Sequence, residues 1–163
     1  MKVPSGSYRV LAASSANSGA TSLVIVNGNP AIAYYDPATS ALNYVRATDA
    51  SGASWGTPVP VDSPGTVGQF ASLFVVNGNP AISYYDASNG NLKYVRASDA
   101  SGATWGGAVT LDSAGVVGTY ASLKVVNGTP AISYYDASNR KLKFIRQNSV
   151  LGPITINWIA LPP

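Results

Sequence analysis

The chain has no cysteine and no histidine, and because it also has no glutamate, all seven of its acidic residues are aspartates. Without cysteine there can be no disulfide framework, and the redox compartment cannot be inferred. Without cysteine or histidine there can be no Ser-His-Asp or Cys-His nucleophile system and no conventional zinc site. A calcium site built from aspartate and carbonyl oxygens stays open, but we expect no metal and no cofactor.

Charge and long apolar runs are also scarce. Charged residues make up 10% of the chain, and ten basic against seven acidic residues give a formal charge of +3. That balance is too mild, and its basic residues too dispersed, to indicate nucleic-acid binding. No apolar stretch approaches the roughly 20 residues that span a bilayer, so we expect no membrane insertion. No signal peptide is visible at the N-terminus, although an extracellular or virion-associated location is favoured.

The dominant feature is a 50-residue unit that occurs three times. The copies begin at Ser22, Ser72 and Ser122, and the first two agree at roughly 60% of positions without insertion or deletion. A fixed period of this size is typical of solenoids, propellers and arrays. Each unit is therefore expected to bury its apolar surface against its neighbours.

One repeat predicts four short antiparallel strands. In the second copy, Asn77-Gly78 separates two strands and is the strongest short hairpin signal, because a type I′ turn needs positive φ at both central residues. The predicted strands cover residues 73–76, 81–86, 92–97 and 108–111, and residues 112–120 cross over to the next copy. Four strands in about 50 residues is the size of a propeller blade.

Both faces of each predicted sheet are apolar. Val75 and Val76 are adjacent, as are Tyr84 and Tyr85, and adjacent residues of a strand point to opposite faces. A sheet with two apolar faces needs a cover on both sides, which a blade between two other blades has. We therefore predict an all-β, β-propeller chain of three four-stranded antiparallel blades, with an open β-solenoid as the alternative.

The ends of the chain suggest how such an array is organised. The predicted single array spans 1–163, with an extra N-terminal strand and crossover at 1–21. Blades follow at 22–71, 72–121 and 122–163, and the last has a divergent C-terminal strand. Propellers have about 4–8 blades, so three do not close a ring and would leave apolar end faces exposed. We therefore expect the chain to have itself as a partner, as two or three chains that close a ring or as a filament.

The loop between the third and fourth strands resembles the sialidase-type Asp-box, or BNR repeat. That motif reads Ser/Thr-x-Asp-x-Gly-x-Thr-Trp and joins the same two strands of a propeller blade. Here the second copy reads SDASGATW and the first TDASGASW, with the aspartate one place early, while the third copy lacks the motif. The resemblance implies a propeller fold and a structural role in the loop for Asp49, Gly52, Trp55, Asp99, Gly102 and Trp105.

The repeat as a whole also resembles the tandem VNGNPAISYYD-type units of bacterial and phage-associated repeat proteins, and lectin-like propellers share its architecture. The sialidase resemblance raises glycoside hydrolysis, for which most glycosidases use a carboxylate pair. None of the seven aspartates is unique to one repeat, whereas a catalytic constellation normally breaks repeat symmetry. Arg46, Arg96 and Arg146 also repeat and are expected to form structural ion pairs near the Asp49 and Asp99 loops. We therefore expect no enzymatic activity.

The candidate ligand-binding residues are aromatic and acidic side chains at the strand ends. Each copy carries a Tyr-Tyr-Asp triplet at the end of its second strand, with one tyrosine expected between blades and the other at a rim or groove. An aromatic pair in the crossover, next to glycine, forms the second group. The alternative is that the tyrosines only pack and that each aspartate begins a turn. The predicted ligand-binding residues are Tyr35, Asp36, Tyr85, Asp86, Tyr135, Asp136, Phe70 and Tyr120.

The function predicted from these features is a non-catalytic, self-assembling propeller module for surface or ligand binding, with carbohydrate-directed adhesion and glycans as the favoured ligand class. One equivalent site per blade would give avidity. The alternatives are a purely structural subunit of a ring, an extracellular fibre or a virion or phage appendage, and an engineered symmetric repeat scaffold.

Overall fold

The computed structural model describes residues 20–148, which form eleven β-strands. This part of the chain contains no helix, and therefore no helix that could span a membrane. The strands are β1 (Thr21–Val26), β2 (Asn29–Asp36), β3 (Ala41–Arg46), β4 (Val59–Asp62), β5 (Val67–Val76), β6 (Asn79–Asp86), β7 (Asn91–Arg96), β8 (Val109–Asp112), β9 (Val117–Val126), β10 (Thr129–Asp136) and β11 (Lys141–Arg146).

The strands form three antiparallel sheets, one for each repeat. Blade 1 has the order β1-β2-β3-β4 and blade 2 the order β5-β6-β7-β8, while the described part of blade 3 contains β9, β10 and β11. The predicted all-β propeller architecture is confirmed. The predicted N-terminal strand and the divergent C-terminal strand lie outside the described residues.

The first hairpin of each blade turns as its sequence predicts. In blade 2, Asn77 and Gly78 have φ angles of 47° and 82°, which are the two consecutive positive values that a type I′ turn requires. The adjacent strands pair from Val76 opposite Asn79 to Ser72 opposite Ser83. Asn-Gly pairs occupy the same place in blades 1 and 3, so all three hairpins share this turn chemistry.

The first strands of blades 2 and 3 begin before the repeat boundary that the sequence suggested. Strand β5 starts at Val67 rather than at residue 73, because the segment read as a crossover also pairs with β6 through two register shifts. Gly68 has a φ of 105°, and a Cβ there would lie 2.7 Å from Leu42 Cα of blade 1. Glycine therefore lets the start of β5 pass close to the preceding blade.

The hydrophobic core lies between the blades, as the apolar patterning predicts. Between blades 1 and 2, Leu42 and Tyr44 of blade 1 join Leu73, Ile82 and Tyr84 of blade 2 in one buried cluster. A second cluster, built mainly from the equivalent residues of the next repeat, lies between blades 2 and 3. At each interface, the face of one blade that is directed toward the next repeat packs on the face of the next blade that is directed toward the previous repeat. Each interface therefore joins two different faces.

Hydrogen bonds repeat along with the core. The Leu73 backbone N–H donates to Ser22 Oγ at 2.9 Å, and the Leu123 backbone N–H donates to Ser72 Oγ at the same distance. Each serine belongs to the first strand of one blade and each leucine to the first strand of the next. This bond therefore fixes the registry of neighbouring blades, because a slip of one residue would leave a buried N–H without an acceptor.

Candidate functional site

The two tyrosines of each triplet lie on opposite faces of the sheet, as strand alternation requires. Tyr84 and Tyr134 are fully buried between blades, with 0% and 1% of their surface exposed. The second tyrosine of each triplet reaches the surface, since Tyr85 is half-buried and Tyr135 is 36% exposed. Tyr35 is half-buried at the corresponding place in blade 1. Only the second tyrosine of each triplet can therefore contact a ligand.

The aspartates of the second and third triplets are not at the surface. Asp136 is fully buried, and its carboxylate accepts hydrogen bonds from the Asn139 backbone N–H at 2.9 Å and from Asn139 Nδ2 at 3.0 Å. These bonds and Lys143 beside them lower the pKa of Asp136 to about 2. Asp86 is likewise buried and is bonded in the same way to Asn89. Both carboxylates, which we predicted to bind ligand, thus accept hydrogen bonds from the protein itself, and their role in ligand binding stays a prediction.

Asp36 in blade 1 is placed differently from its two equivalents. Its carboxylate is only half-buried and accepts hydrogen bonds from the Ala38 N–H and the Thr39 hydroxyl, each at 3.0 Å. Asn43 stands where blades 2 and 3 have a lysine, and its Nδ2 lies 3.5 Å from Asp36 Oδ2. The Asp36 carboxylate therefore lacks the cationic partner of its equivalents, so repeat symmetry is broken here.

An ion-paired cluster at each blade interface was missed by the sequence reasoning. Lys93 of blade 2 donates to Asp62 of blade 1 at 2.6 Å, and its Nζ lies 3.9 Å from Asp86 of its own blade. The Tyr84 hydroxyl also donates to Asp62. Burial, followed by this hydrogen bond, strongly raises the pKa of Tyr84. One carboxylate is thus bound by two groups of the next blade.

The second interface repeats this arrangement. Lys143 Nζ of blade 3 lies 3.0 Å from Asp112 of blade 2 and 2.9 Å from Asp136, and the Tyr134 hydroxyl donates to Asp112 at 2.7 Å. The two carboxylates thus share one lysine, whose pKa is raised mainly by its hydrogen bond to Asp136. The hydrogen bonds that Asp112 and Asp136 accept lower the pKa of both carboxyl groups, so neither is a proton donor near neutral pH. This cluster is suited to joining blades rather than to acid catalysis.

Four of the predicted aromatic residues come together in a continuous row on blades 2 and 3. The Phe70 and Tyr120 ring centroids are 4.6 Å apart, Phe70 lies 6.3 Å from Tyr85, and Tyr120 lies 6.5 Å from Tyr135. We call these four residues the aromatic row. Tyr120 is 71% exposed, so the row has a face open to solvent.

Backbone conformation places the two central rings of the aromatic row. Phe70 and Tyr120 have φ angles of 52° and 54°, a left-handed conformation that aromatic residues rarely adopt. Each follows a glycine by two residues within an irregular stretch of the first strand. A strained conformation of this kind persists only where the surroundings enforce it, and it is often associated with a functional site.

The loop that resembles an Asp-box is held by its aspartate. Asp99 accepts hydrogen bonds from the backbone N–H groups of Ser101, Ala103 and Thr104, at 2.8, 3.2 and 2.7 Å. Hydrogen bonds from the Ser101 and Thr104 hydroxyls are the main reasons why the pKa of Asp99 is strongly lowered. Trp105 Nε1 donates to the Gly102 carbonyl at 2.9 Å.

The corresponding loop of blade 1 has the same geometry. Asp49 accepts from the Ser51, Ala53 and Ser54 N–H groups, and Trp55 Nε1 donates to the Gly52 carbonyl at 2.9 Å. The loop carboxylates are thus occupied by their own backbone.

We expected ion pairs between the repeated arginines and these loops, and this prediction is wrong. Arg46 donates through Nε to the Val26 carbonyl at 2.8 Å and through Nη2 to the Asn27 carbonyl at 2.7 Å. Arg96 makes the equivalent bonds in blade 2. Each guanidinium therefore binds the first hairpin of its own blade. Within residues 20–148, no group of three His, Cys, Asp or Glu side chains is arranged to hold a metal.

Comparison with known proteins places this architecture among solved propellers. A glycoside hydrolase family 43 β-1,3-galactosidase, solved with galactodeoxynojirimycin, matches 87% of the chain with a TM-score of 0.62 and 12% identity. An exo-β-1,3-galactanase from Phanerochaete chrysosporium, solved with β-1,3-galactotriose, matches 84% with a TM-score of 0.58 and 14% identity. The chain spans only 56% and 33% of these two proteins. No protein-family model and no curated protein matches the sequence.

These matches support a β-propeller fold but do not show Asp-box repeats. They contradict two functional predictions, that the protein is not an enzyme and that it is a non-catalytic adhesion module or a structural subunit. The two structures named above are glycosidases. The repeat symmetry from which we predicted that the protein is not an enzyme is also broken, because Asp36 lacks the lysine that its equivalents share.

Proposed function

We propose that the protein is a carbohydrate-active propeller that hydrolyses galactose-containing glycosides. The observation that carries the proposal is the aromatic row, a solvent-facing line of four rings on a fold shared with two glycosidases that act on β-1,3-linked galactose. Aromatic rings present flat apolar faces with polar groups at their edges. Such surfaces can stack on sugar rings, while the Tyr120 and Tyr135 hydroxyls bind the sugar hydroxyl groups.

The length of the aromatic row favours a chain of sugars over a single sugar. Its consecutive ring centroids are 6.3, 4.6 and 6.5 Å apart and continue from blade 2 to blade 3. Four rings in sequence can contact more than one sugar residue, so binding energy accumulates along the substrate. We therefore infer an oligosaccharide or polysaccharide substrate, with Tyr120 at the most accessible part of the row.

Asp36 is our proposed acid–base carboxylate. Glycoside hydrolysis generally needs one carboxyl group to protonate the leaving oxygen and a second to assist attack at the anomeric carbon. Asp36 is half-buried and has no lysine partner, unlike Asp86 and Asp136. Asp36 is also the last residue of β2. In blade 2, Tyr85 lies at the corresponding end of the equivalent strand β6, where it contacts Phe70.

We also propose that the loops between the third and fourth strands of blades 1 and 2 are related to the Asp-box. The bonds from Asp99 to its loop backbone and from Trp105 to the Gly102 carbonyl support it. We propose that these loops, like the Asp-box loops that they resemble, stabilise the blades and take no part in substrate binding.

The test of this function is the rate of reducing-sugar release from β-1,3-galactan by the wild-type protein and two single variants. Tyr120→Ala removes the most exposed ring and is expected to raise KM at least about 10-fold with a smaller effect on kcat, since stacking contributes to ground-state binding. Asp36→Asn is expected to lower kcat at least about 100-fold with little effect on KM.

Matched controls separate the aromatic row from general surface effects. Val109→Ala removes another exposed apolar side chain, 41% exposed on the outer strand of blade 2 and outside the row, and should leave kinetics on β-1,3-galactan unchanged. Asp49→Asn removes a carboxylate of blade 1 that binds only its own loop. If Tyr120→Ala and Val109→Ala behave alike, the row is not the substrate site.

A further inference from the structure

The face of blade 1 that looks back along the chain is exposed where its equivalents are buried. Leu23 on β1 is 63% exposed, whereas Leu73 and Leu123, at the same place in blades 2 and 3, are 2% and 0% exposed. Ile25 beside it is 59% exposed. The buried equivalents are covered by the preceding blade, so this face, which we call the leading face, is built to receive one.

The opposite end of the described array has the complementary property. Leu142 on β11 is 76% exposed, whereas Leu42 and Leu92, at the same place in blades 1 and 2, are completely buried. Val126 is 37% exposed, while its equivalents are at most 2% exposed. We call this face of blade 3 the trailing face. Large apolar side chains exposed at repeat-equivalent positions are typical of an interaction site.

The two internal interfaces show what fits these faces. In each of them, the trailing face of one blade packs on the leading face of the next, and a serine of the first accepts the leucine N–H of the second at 2.9 Å. Ser122 is the corresponding serine on the trailing face of blade 3, and it is exposed. The N–H of Leu23 is the donor that would complete the series.

The residues at the ion-pairing positions of the two exposed faces are compatible with a third interface that has no ion pair. The internal interfaces each join a lysine of the following blade to an aspartate of the preceding one. Blade 1 has Asn43 in place of that lysine, and the sequence has Ala12 and Pro162 at the two positions equivalent to Asp62. The lysine and the aspartate that it would meet across the interface are therefore absent together, so the third interface would not contain one half of that ion pair without the other.

We propose that the leading face of one chain docks on the trailing face of a second copy of the same chain, head to tail. The occupant is a second copy because the two faces already pack on each other twice within one chain. Two copies give six blades, within the range in which propellers close, while three copies give nine. The closed ring would contain two such interfaces, each made by Leu23 of one copy and Leu142 of the other. This proposal does not depend on the proposed enzymatic activity.

The test is the mass of the protein by light scattering across a dilution series. The wild-type protein is expected at twice the 16.7 kDa of one chain. Leu23→Asp alters one face and Leu142→Asp the other. Either substitution buries an unpaired charge in the two interfaces of the ring, so each should raise the dissociation constant of the dimer at least about 100-fold. Val109→Asp, at a residue that is 41% exposed on the outer strand of blade 2, should leave the dimer intact.

Mixing the two variants distinguishes a head-to-tail interface from a self-complementary one. Leu23→Asp chains keep an intact trailing face and Leu142→Asp chains an intact leading face, so an equimolar mixture should form an open dimer that neither forms alone. Unchanged circular dichroism spectra confirm that each variant is folded. A wild-type monomer at every concentration, or a mixture that stays monomeric while wild type is dimeric, would overturn the proposal.

Discussion

Lys143 of blade 3 places its Nζ atom 3.0 Å from the Asp112 carboxylate of blade 2. The two residues are 31 positions apart, and the same bond joins Lys93 to Asp62 one repeat earlier. The blades of this protein are therefore joined by charge as well as by apolar packing, and four of the seven aspartates take part in these ion pairs.

Replacement of the bridging lysine is expected to destabilise the protein. Lys143→Met leaves Asp136, which is fully buried, and Asp112 without a cation. The loss in free energy of unfolding should be about 3 kcal/mol, the size typical of breaking a buried pair from one side. Urea denaturation of the two proteins measures it. Lys141→Met is the matched control, because Lys141 is exposed on the same strand, and it should change stability by less than about 0.5 kcal/mol.

Acid should destabilise the fold over a defined interval. Hydrogen bonds to Asn139 and Lys143 lower the pKa of Asp136 from 3.8 to about 2, and the loop around Asp49 lowers its pKa to a similar value. A carboxyl group whose pKa is lower in the folded state stabilises that state above its unfolded pKa and loses this contribution as pH falls through the folded pKa. The melting temperature should therefore be constant above about pH 5 and fall between about pH 4 and 2.

Thermal melts of the wild type and Asp136→Asn from pH 6 to 2 check this expectation. The variant cannot gain a proton at position 136, so its melting temperature should fall less steeply in the acid interval. An equally steep fall in the variant would show that Asp136 does not contribute to the acid sensitivity.

Close approach of neighbouring blades should make Gly68 intolerant of a side chain. A Cβ at Gly68 would lie 2.7 Å from both Cα and Cβ of Leu42, and the φ of 105° is unfavourable for any other residue. Gly68→Ala should therefore cost about 3 kcal/mol in free energy of unfolding, from backbone strain and overpacking together. Gly107→Ala meets nothing within 4 Å, so chemical denaturation of that control should match wild type.

Local features of the fold could be predicted because they depend on neighbouring residues. Asn77-Gly78 specifies its turn through positive φ angles, and the alternation of Tyr84 and Tyr85 between a buried and an accessible position follows from the two-residue period of a strand. The propeller architecture followed from the repeat and from its two apolar faces, since a blade between two other blades has both faces covered.

The site was harder to predict because it depends on contacts between repeats. The contact between Phe70 and Tyr120 joins residues one full repeat apart, and the left-handed conformation that creates it is not one that aromatic residues favour. Lys93 reaches Asp62 only because two blades stack in one registry. Asp86 seemed available from its position at a strand end, but Asn89 and Lys93 cover it.

A proton NMR time course of β-1,3-galactotriose with the purified protein shows whether it hydrolyses galactose-containing glycosides. We expect new anomeric signals from galactose and the disaccharide, and no such signals with Asp36→Asn under the same conditions. An unchanged galactotriose spectrum with wild-type protein, confirmed as folded and at its native oligomeric mass, would contradict the proposed hydrolysis.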